Sequence, residues 1–158
     1  MRRLLAALAV TSLVALSACN RIDPIGTDLV ALNSAGQAAM ASANVQQAMS
    51  KVQAAKTPEE KAAILRESSL AIGRAQVDLQ KVTMKSDEVR DIQGRMVTGF
   101  GKLSVGTKAA ADAFESAVQA DMDKARQQMR EGQVEFLAAG EEMVKLAKAR
   151  SVDLRAKS

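Results

Sequence analysis

The chain has 158 residues, 22 lysines and arginines against 18 aspartates and glutamates, one cysteine, three phenylalanines, and no histidine, tryptophan or tyrosine. Without histidine, the usual general base, histidine-containing triads, haem ligation by histidine and most zinc sites are excluded. Without tryptophan or tyrosine there is little aromatic surface on which bases or sugars could stack, which argues against nucleic acid and glycan as partners.

In chain order, Met1-Arg2-Arg3 precedes an apolar run over residues 4–16, interrupted only by Thr11 and Ser12. As a helix this run spans about 20 Å, against a hydrocarbon core of about 30 Å. It is too short to cross a membrane and has the size of a signal-peptide core. It closes on Leu16-Ser17-Ala18-Cys19, which resembles the lipobox of bacterial lipoproteins. The resemblance implies cleavage between Ala18 and Cys19, diacylglycerol on the Cys19 thiol and an acylated new amino terminus. The membrane is then a partner through lipidated Cys19, because several acyl chains at about 0.8 kcal/mol per buried methylene make a stable anchor. By the same resemblance Asn20 points to the outer membrane and its periplasmic face, since an aspartate there marks inner-membrane retention in enteric bacteria. Cys19 is the only cysteine, so no intramolecular disulfide is possible.

Losing residues 1–18 removes Arg2 and Arg3, which leaves 140 residues with 20 basic and 18 acidic side chains, a net charge of +2. That length suffices for one domain with a core. Residues 19–26, with Pro24 and Gly26, are expected to form a short lipidated tether that keeps the folded part within about 25 Å of its membrane.

From Thr27 the composition turns to Ala, Gln, Glu, Lys and Met, which favour helix. Thr57-Pro58-Glu59-Glu60 has the makings of a capping box with proline at the first helical position. Ser86-Asp87-Glu88 reads as a second start, and Asp121-Met122-Asp123 as a weaker third. Apolar stripes at 3/4 spacing agree with these divisions. They run through Ala31, Ala35, Ala38, Ser42, Val45, Met49 and Val52, then through Leu65, Ser68, Ile72, Ala75, Leu79 and Val82. The third includes Val89, Ile92, Met96, Gly99, Leu103, Gly106, Ala110, Ala113, Ala117 and Ala120. The fourth includes Met122, Ala125, Met129, Gly132, Phe136, Ala139, Met143 and Leu146. Each stripe loses phase at the next start. The expectation is an all-α, antiparallel, up-down-up-down four-helix bundle, with helices over 27–55, 58–84, 87–119 and 122–150 and a basic tail at 151–158. Gly94, Gly99, Gly101 and Gly106 fall inside the third helix, which is either broken there or closely approached by a neighbour. The unbroken stripe favours a continuous helix.

The remaining motifs give no catalytic residue, cofactor or metal site. Gly99-Phe100-Gly101-Lys102 lacks the hydroxyl residue after lysine and the preceding strand of a phosphate loop. The carboxylate pairs Glu131/Glu135, Glu141/Glu142 and Asp121/Asp123 stand among charges with partners at helical spacing, as in the i,i+4 pairs Glu141/Lys145, Asp91/Arg95 and Arg74/Asp78 on their respective helices, which reads as solvated helix surface. Met49, Met96, Met122, Met129 and Met143 fall on the stripes and read as core filler, the alternatives being the lining of an adaptable apolar groove or a soft site for copper(I). The protein is not expected to be an enzyme. It is expected to act by contact with an envelope protein or by structural support, with an oligomeric state the sequence leaves open. One alternative is a module that holds a hydrophobic ligand between helices. Another is a non-covalent cell-wall tether: the murein lipoprotein couples an acylated cysteine to a C-terminal lysine, whereas this chain ends Ala156-Lys157-Ser158.

Overall fold

The computed structural model describes residues 23–155, so the signal segment, Ala18, Cys19 and the first part of the tether lie outside the described residues. Among the described residues there are five helices: α1 (Pro24–Ala43), α2 (Val45–Ala54), α3 (Pro58–Gln80), α4 (Asp87–Ser116) and α5 (Gln119–Ala149). They make an all-α bundle in which α1, α3, α4 and α5 alternate in direction. No helix among the described residues is long and apolar enough to cross a membrane.

The segment expected as one helix over 27–55 is two. Asn44 adopts φ 45° and ψ 40°, the left-handed conformation that asparagine tolerates better than other residues with a Cβ. The break ends α1 and re-aims α2. The start also moves back: Asp23 caps Ile25 N–H at 3.1 Å and Pro24 takes the first turn, so residues 24–26 of the expected tether are helical. The buried stripe of α1 is Leu29, Leu32, Gly36, Ala39 and Ala43, not the expected one. Both satisfy the 3/4 spacing. Burying two leucines removes far more apolar surface than burying alanines, and that difference selects the register.

α3 begins as expected. Thr57 Oγ1 accepts from Glu60 N–H at 3.2 Å, and Glu60 Oε2 accepts from Thr57 N–H at 3.3 Å. Ser86 precedes α4, but its hydroxyl does not cap the helix; it donates at 3.0 Å to Asp28 of α1. The turn between α4 and α5 is only Ala117 and Val118, with Ala117 left-handed at φ 54°. α5 closes in a Schellman arrangement around left-handed Ser151, with Val152 N–H to Ala147 O at 2.8 Å and Ser151 N–H to Lys148 O at 3.1 Å. Of the expected tail at 151–158, residues 151–155 turn back, pack Val152 and Leu154 against the core and offer the Leu154 carbonyl to Asn33 Nδ2 at 2.9 Å, while residues 156–158 lie outside the described residues.

α4 runs unbroken through all four glycines. A Cβ on Gly99 would lie 2.9 Å from the Gly132 carbonyl oxygen, and one on Gly132 would lie 2.7 Å from the Gly99 carbonyl oxygen. Gly106 meets the backbone of Met129 in the same way, at 2.8 Å. These three glycines let α4 and α5 meet backbone to backbone, and the contact outweighs their poor helix propensity. α3 and α4 are clasped by small polar side chains: Ser69 Oγ donates to Ser104 O and Ser104 Oγ donates to Ser69 O, both at 2.9 Å.

The core has two parts. The larger lies at the end where α1 begins and α5 finishes, around Leu29, Leu32, Ile72, Leu79, Val89, Met96 and Phe100. The smaller, at the opposite end, is made of Ala62, Leu65, Ala110, Ala111 and Ala125.

Candidate interaction face and groove

The end of the bundle carrying Asp23 is held by side chains that serve other segments' backbones. Asp28 is only 3% exposed, and its Oδ2 accepts from Lys85 N–H and Ser86 N–H at 2.7 Å each as well as from the Ser86 hydroxyl. α1 thereby supplies the cap for α4 that Ser86 does not. Gln93, also buried, donates Nε2 to the carbonyls of Leu79 and Val82 at 2.8 and 2.7 Å, and Arg90 donates to Met84 O at 3.1 Å. Every buried side-chain polar atom among the described residues has a partner.

The opposite end is fastened at the surface. Arg66 of α3 donates to both oxygens of Glu115, at 2.5 and 2.6 Å, and to Asp112 at 3.2 Å; Lys108 donates to Asp112 at 2.9 Å. The Arg66 guanidinium is held more basic than usual by Glu115 and Asp112. The Asp112 carboxyl is held below the ordinary range by Lys108 and then Arg66, and the Glu115 carboxyl by Arg66. Between α4 and α5, Arg95 pairs with Glu142 and Lys102 with Glu135. Arg95 thus reaches across to the neighbouring helix instead of pairing with Asp91, and Asp78 pairs with Lys81 instead of Arg74. The Arg95 and Lys102 pairs cross between helices because α4 and α5 approach so closely. The carboxylates considered for acid–base work are therefore spread over the surface. Among the described residues no three acidic or cysteine side chains gather as a metal site.

One face differs from the rest. Residues 24–50 contain a single charged side chain, Asp28, where the chain's 25% charged fraction would give about seven, and Asp28 is buried. The exposed surface of α1 and of α2 up to Ser50 is thus uncharged, built of Ser, Gln, Ala, Asn, Val and Met. On it Met40, Val45 and Met49 are 57, 44 and 48% exposed. The stripe expected to bury Val45 and Met49 does not, and α2 contains no buried residue. Asn44, Gln47, Ala48 and Lys51 line a hollow against α3, so at 100° per residue Met49 falls on the far side of α2 and Val45 on its flank.

Beside this face the bundle is unfinished. α1 packs on α3 and barely meets α5, leaving an apolar groove of about 320 Å³ between them. Its walls are Gly36, Met40, Phe136, Gly140 and Met143, with Met96 below. Phe136 is fixed there by an edge-on contact with buried Phe100, at 4.9 Å between ring centres. A Cβ on Gly140 would meet nothing within 4 Å. Of the stripe methionines, buried Met96 and Met143 line this groove, half-buried Met122 and Met129 pack against the smaller core, and Met49 is exposed. Met40, Gly36 and Gly140 were not singled out from the sequence, and Phe136 was expected only as a buried stripe position. The signal that could have found the face was present: a long stretch without surface charge, whose lone aspartate must be buried and bonded.

No curated protein and no solved structure matches the chain. A family model does match, over residues 26–149, which spans all but the first residues of this bundle. The chain belongs to the family described as "Uncharacterised lipoprotein PM1805".

Proposed function

We propose that the protein is an envelope lipoprotein, anchored through Cys19 at the periplasmic face of the outer membrane, which acts by protein contact along the α1–α2 face rather than by catalysis. The observation that carries this reading is the uncharged, methionine-bearing surface of residues 24–50 on an otherwise charge-covered bundle. Depletion of charge and enrichment in methionine distinguish the centres of protein interfaces from ordinary surface. A ten-residue helix with no buried residue is also short of the contacts that stabilise so brief a helix, and a partner would supply them. Membership of a lipoprotein family supports the anchor. Photo-crosslinking residues placed at Met40, Val45 and Met49 in intact cells should give adducts that the same residue at Leu70, exposed on α3, does not. Equal labelling at all four positions would remove the basis of the reading.

The groove favours a second reading, in which a hydrophobic ligand lies between α1 and α5 against Met40, Phe136 and Met143. Delipidated protein should then melt higher with a long-chain fatty acid, and Gly140→Ala should abolish that shift. The wall-tether alternative has less support, because the tail that would reach outward folds back onto α1 through Leu154.

A further inference from the structure

We propose that the hollow between α2 and α3 binds a small zwitterion, an amino acid or dipeptide, with its carboxylate at Arg74 and its ammonium at Glu67. The site lies on the side of α2 turned toward α3, and it does not rest on the contact reading given above.

The hollow follows from the left-handed turn at Asn44, which re-aims α2 along α3. Across the gap α2 turns Asn44, Gln47 and the small Ala48, and α3 answers with Ser68 and Ala71. Side chains this short leave about 210 Å³ open between the helices, room for a small dipeptide. Ser68 marks that space as polar and unfilled. It is 6% exposed, yet its hydroxyl bonds to no described residue, whereas the neighbouring Ser69 bonds to Ser104. Every fully buried side-chain polar atom among the described residues has a partner, so this oxygen is not sealed off; it opens into the hollow that Ser68 lines. A hydroxyl so placed costs stability unless water or a ligand meets it.

Charge is arranged lengthwise along the hollow. Glu67 and Arg74 lie seven residues apart on α3, which puts their Cα atoms on one face about 10 Å apart, with Ser68 between them. Val52 packs on the smaller core beside Ala62 and Leu65, so α2 runs antiparallel to α3. The start of α2 therefore comes to the Arg74 end, and Lys51 to the Glu67 end. No side chain caps that start, because the Asn44 amide donates to Gln47 instead. Uncapped amides at a helix start, next to the guanidinium of Arg74, suit a carboxylate. None of Arg74, Lys51 and Glu67 is in an ion pair among the described residues. Glu67 is thus left to accept from an ammonium. A ligand with only negative groups would face Glu67 across the same small space, which disfavours it against a zwitterion.

The test is calorimetric titration of the full mature protein in detergent with alanine, with alanyl-alanine, and with that dipeptide blocked as its N-acetyl derivative or its C-terminal amide. Saturable binding of alanine or of the free dipeptide below about 10 mM is expected, and whichever binds tighter gives the length of the ligand. Blocking either end should weaken binding about tenfold, the loss of one charge-assisted hydrogen bond. In Glu67→Gln the N-acetyl and free dipeptides should bind alike. In Arg74→Gln the amide and the free acid should bind alike. Ser68→Ala should weaken binding without lowering the melting temperature, because the hydroxyl has no partner in the bundle to lose. Arg130→Gln, exposed on α5, should leave binding unchanged. No saturation by any of these probes would overturn the site, and so would binding that neither Arg74→Gln nor Glu67→Gln alters. Inorganic phosphate binding tighter than both alanine and the free dipeptide would overturn the zwitterion.

Discussion

Asp28 serves two segments at once, and its loss should be felt beyond α1. Its carboxylate accepts three hydrogen bonds that close the α3–α4 turn, two of them from backbone amides with no other cap. Asp28→Ala removes the partner of part-buried donors and is expected to cost about 1–3 kcal/mol, measured by urea unfolding. The glycines divide by what a methyl group would meet. Gly94 has nothing within 4 Å, so Gly94→Ala should gain up to about 1 kcal/mol of helix propensity. Gly132→Ala places its methyl 2.7 Å from a backbone oxygen, where the usual overpacking cost of about 1–3 kcal/mol outweighs the same gain. A thermal melt of the pair should therefore move in opposite directions. Ala117 and Ser151 both sit at φ 54°, a conformation that costs a residue with a Cβ about 1–2 kcal/mol. Replacing either by glycine should raise stability, by less than that because glycine gives the unfolded chain more freedom to lose.

At the level of elements, the distal contact between α3 and α4 is pH-sensitive. Asp112 and Glu115 have carboxyl groups held below their ordinary values, by Lys108 with Arg66 and by Arg66 respectively. A lowered folded-state pKa gives stability that is present above the unfolded-chain pKa and lost as pH falls through the folded one. The window is thus below about pH 4, the unfolded range for these groups. Protection of amides near Arg66, taken relative to the intrinsic exchange rate at each pH, should fall there, and molar salt should blunt the difference because the groups are exposed. The sequence disclosed α3 and α4 well, since Leu65, Ile72, Leu79, Val89, Ile92 and Met96 are large enough to declare a buried stripe; α5 begins at Gln119, ahead of the expected start at Asp121-Met122-Asp123, because the tight turn at Ala117 and Val118 sets it without a side-chain cap. It misled over α1 and α2. There, alanines and serines fill several registers equally, and the choice falls to packing against helices distant in sequence. The break at Asn44 has no proline or glycine to announce it. The cap from Asp28 joins residues 57 and 58 positions apart, beyond the reach of local pattern. The groove was invisible for the same reason: it exists because α1 packs on α3 and barely meets α5, a choice made between helices distant in sequence.

Across the whole molecule, the two ends are built differently. Near Asp23 the core is made of leucine, isoleucine, valine, methionine and phenylalanine, and three helices and the C-terminal turn are tied by buried hydrogen bonds. At the far end the core is mostly alanine, the fastening is an exposed ion pair, and α2 rests on α3 alone for most of its contact. Native-state hydrogen exchange should accordingly show α2 opening at a small fraction of the global free energy, with α4 near Val89 and Ile92 opening only on global unfolding. Comparable protection in α2 and α4 would refute that gradient.

The buried clamp around Asp28 also decides how the molecule carries load. If a partner grips α2 while the membrane holds the chain ahead of Asp23, tension runs the length of the bundle. It arrives first at a short, weakly seated helix and last at a joint tied on several sides. The far helix then acts as a fuse: it yields, lengthens the link and spares the root. Pulled between these two points, the protein should release a small extension at low force well before the rest gives way. A connection between a fluid membrane and another envelope component could thus stretch and recover without the lipoprotein unfolding.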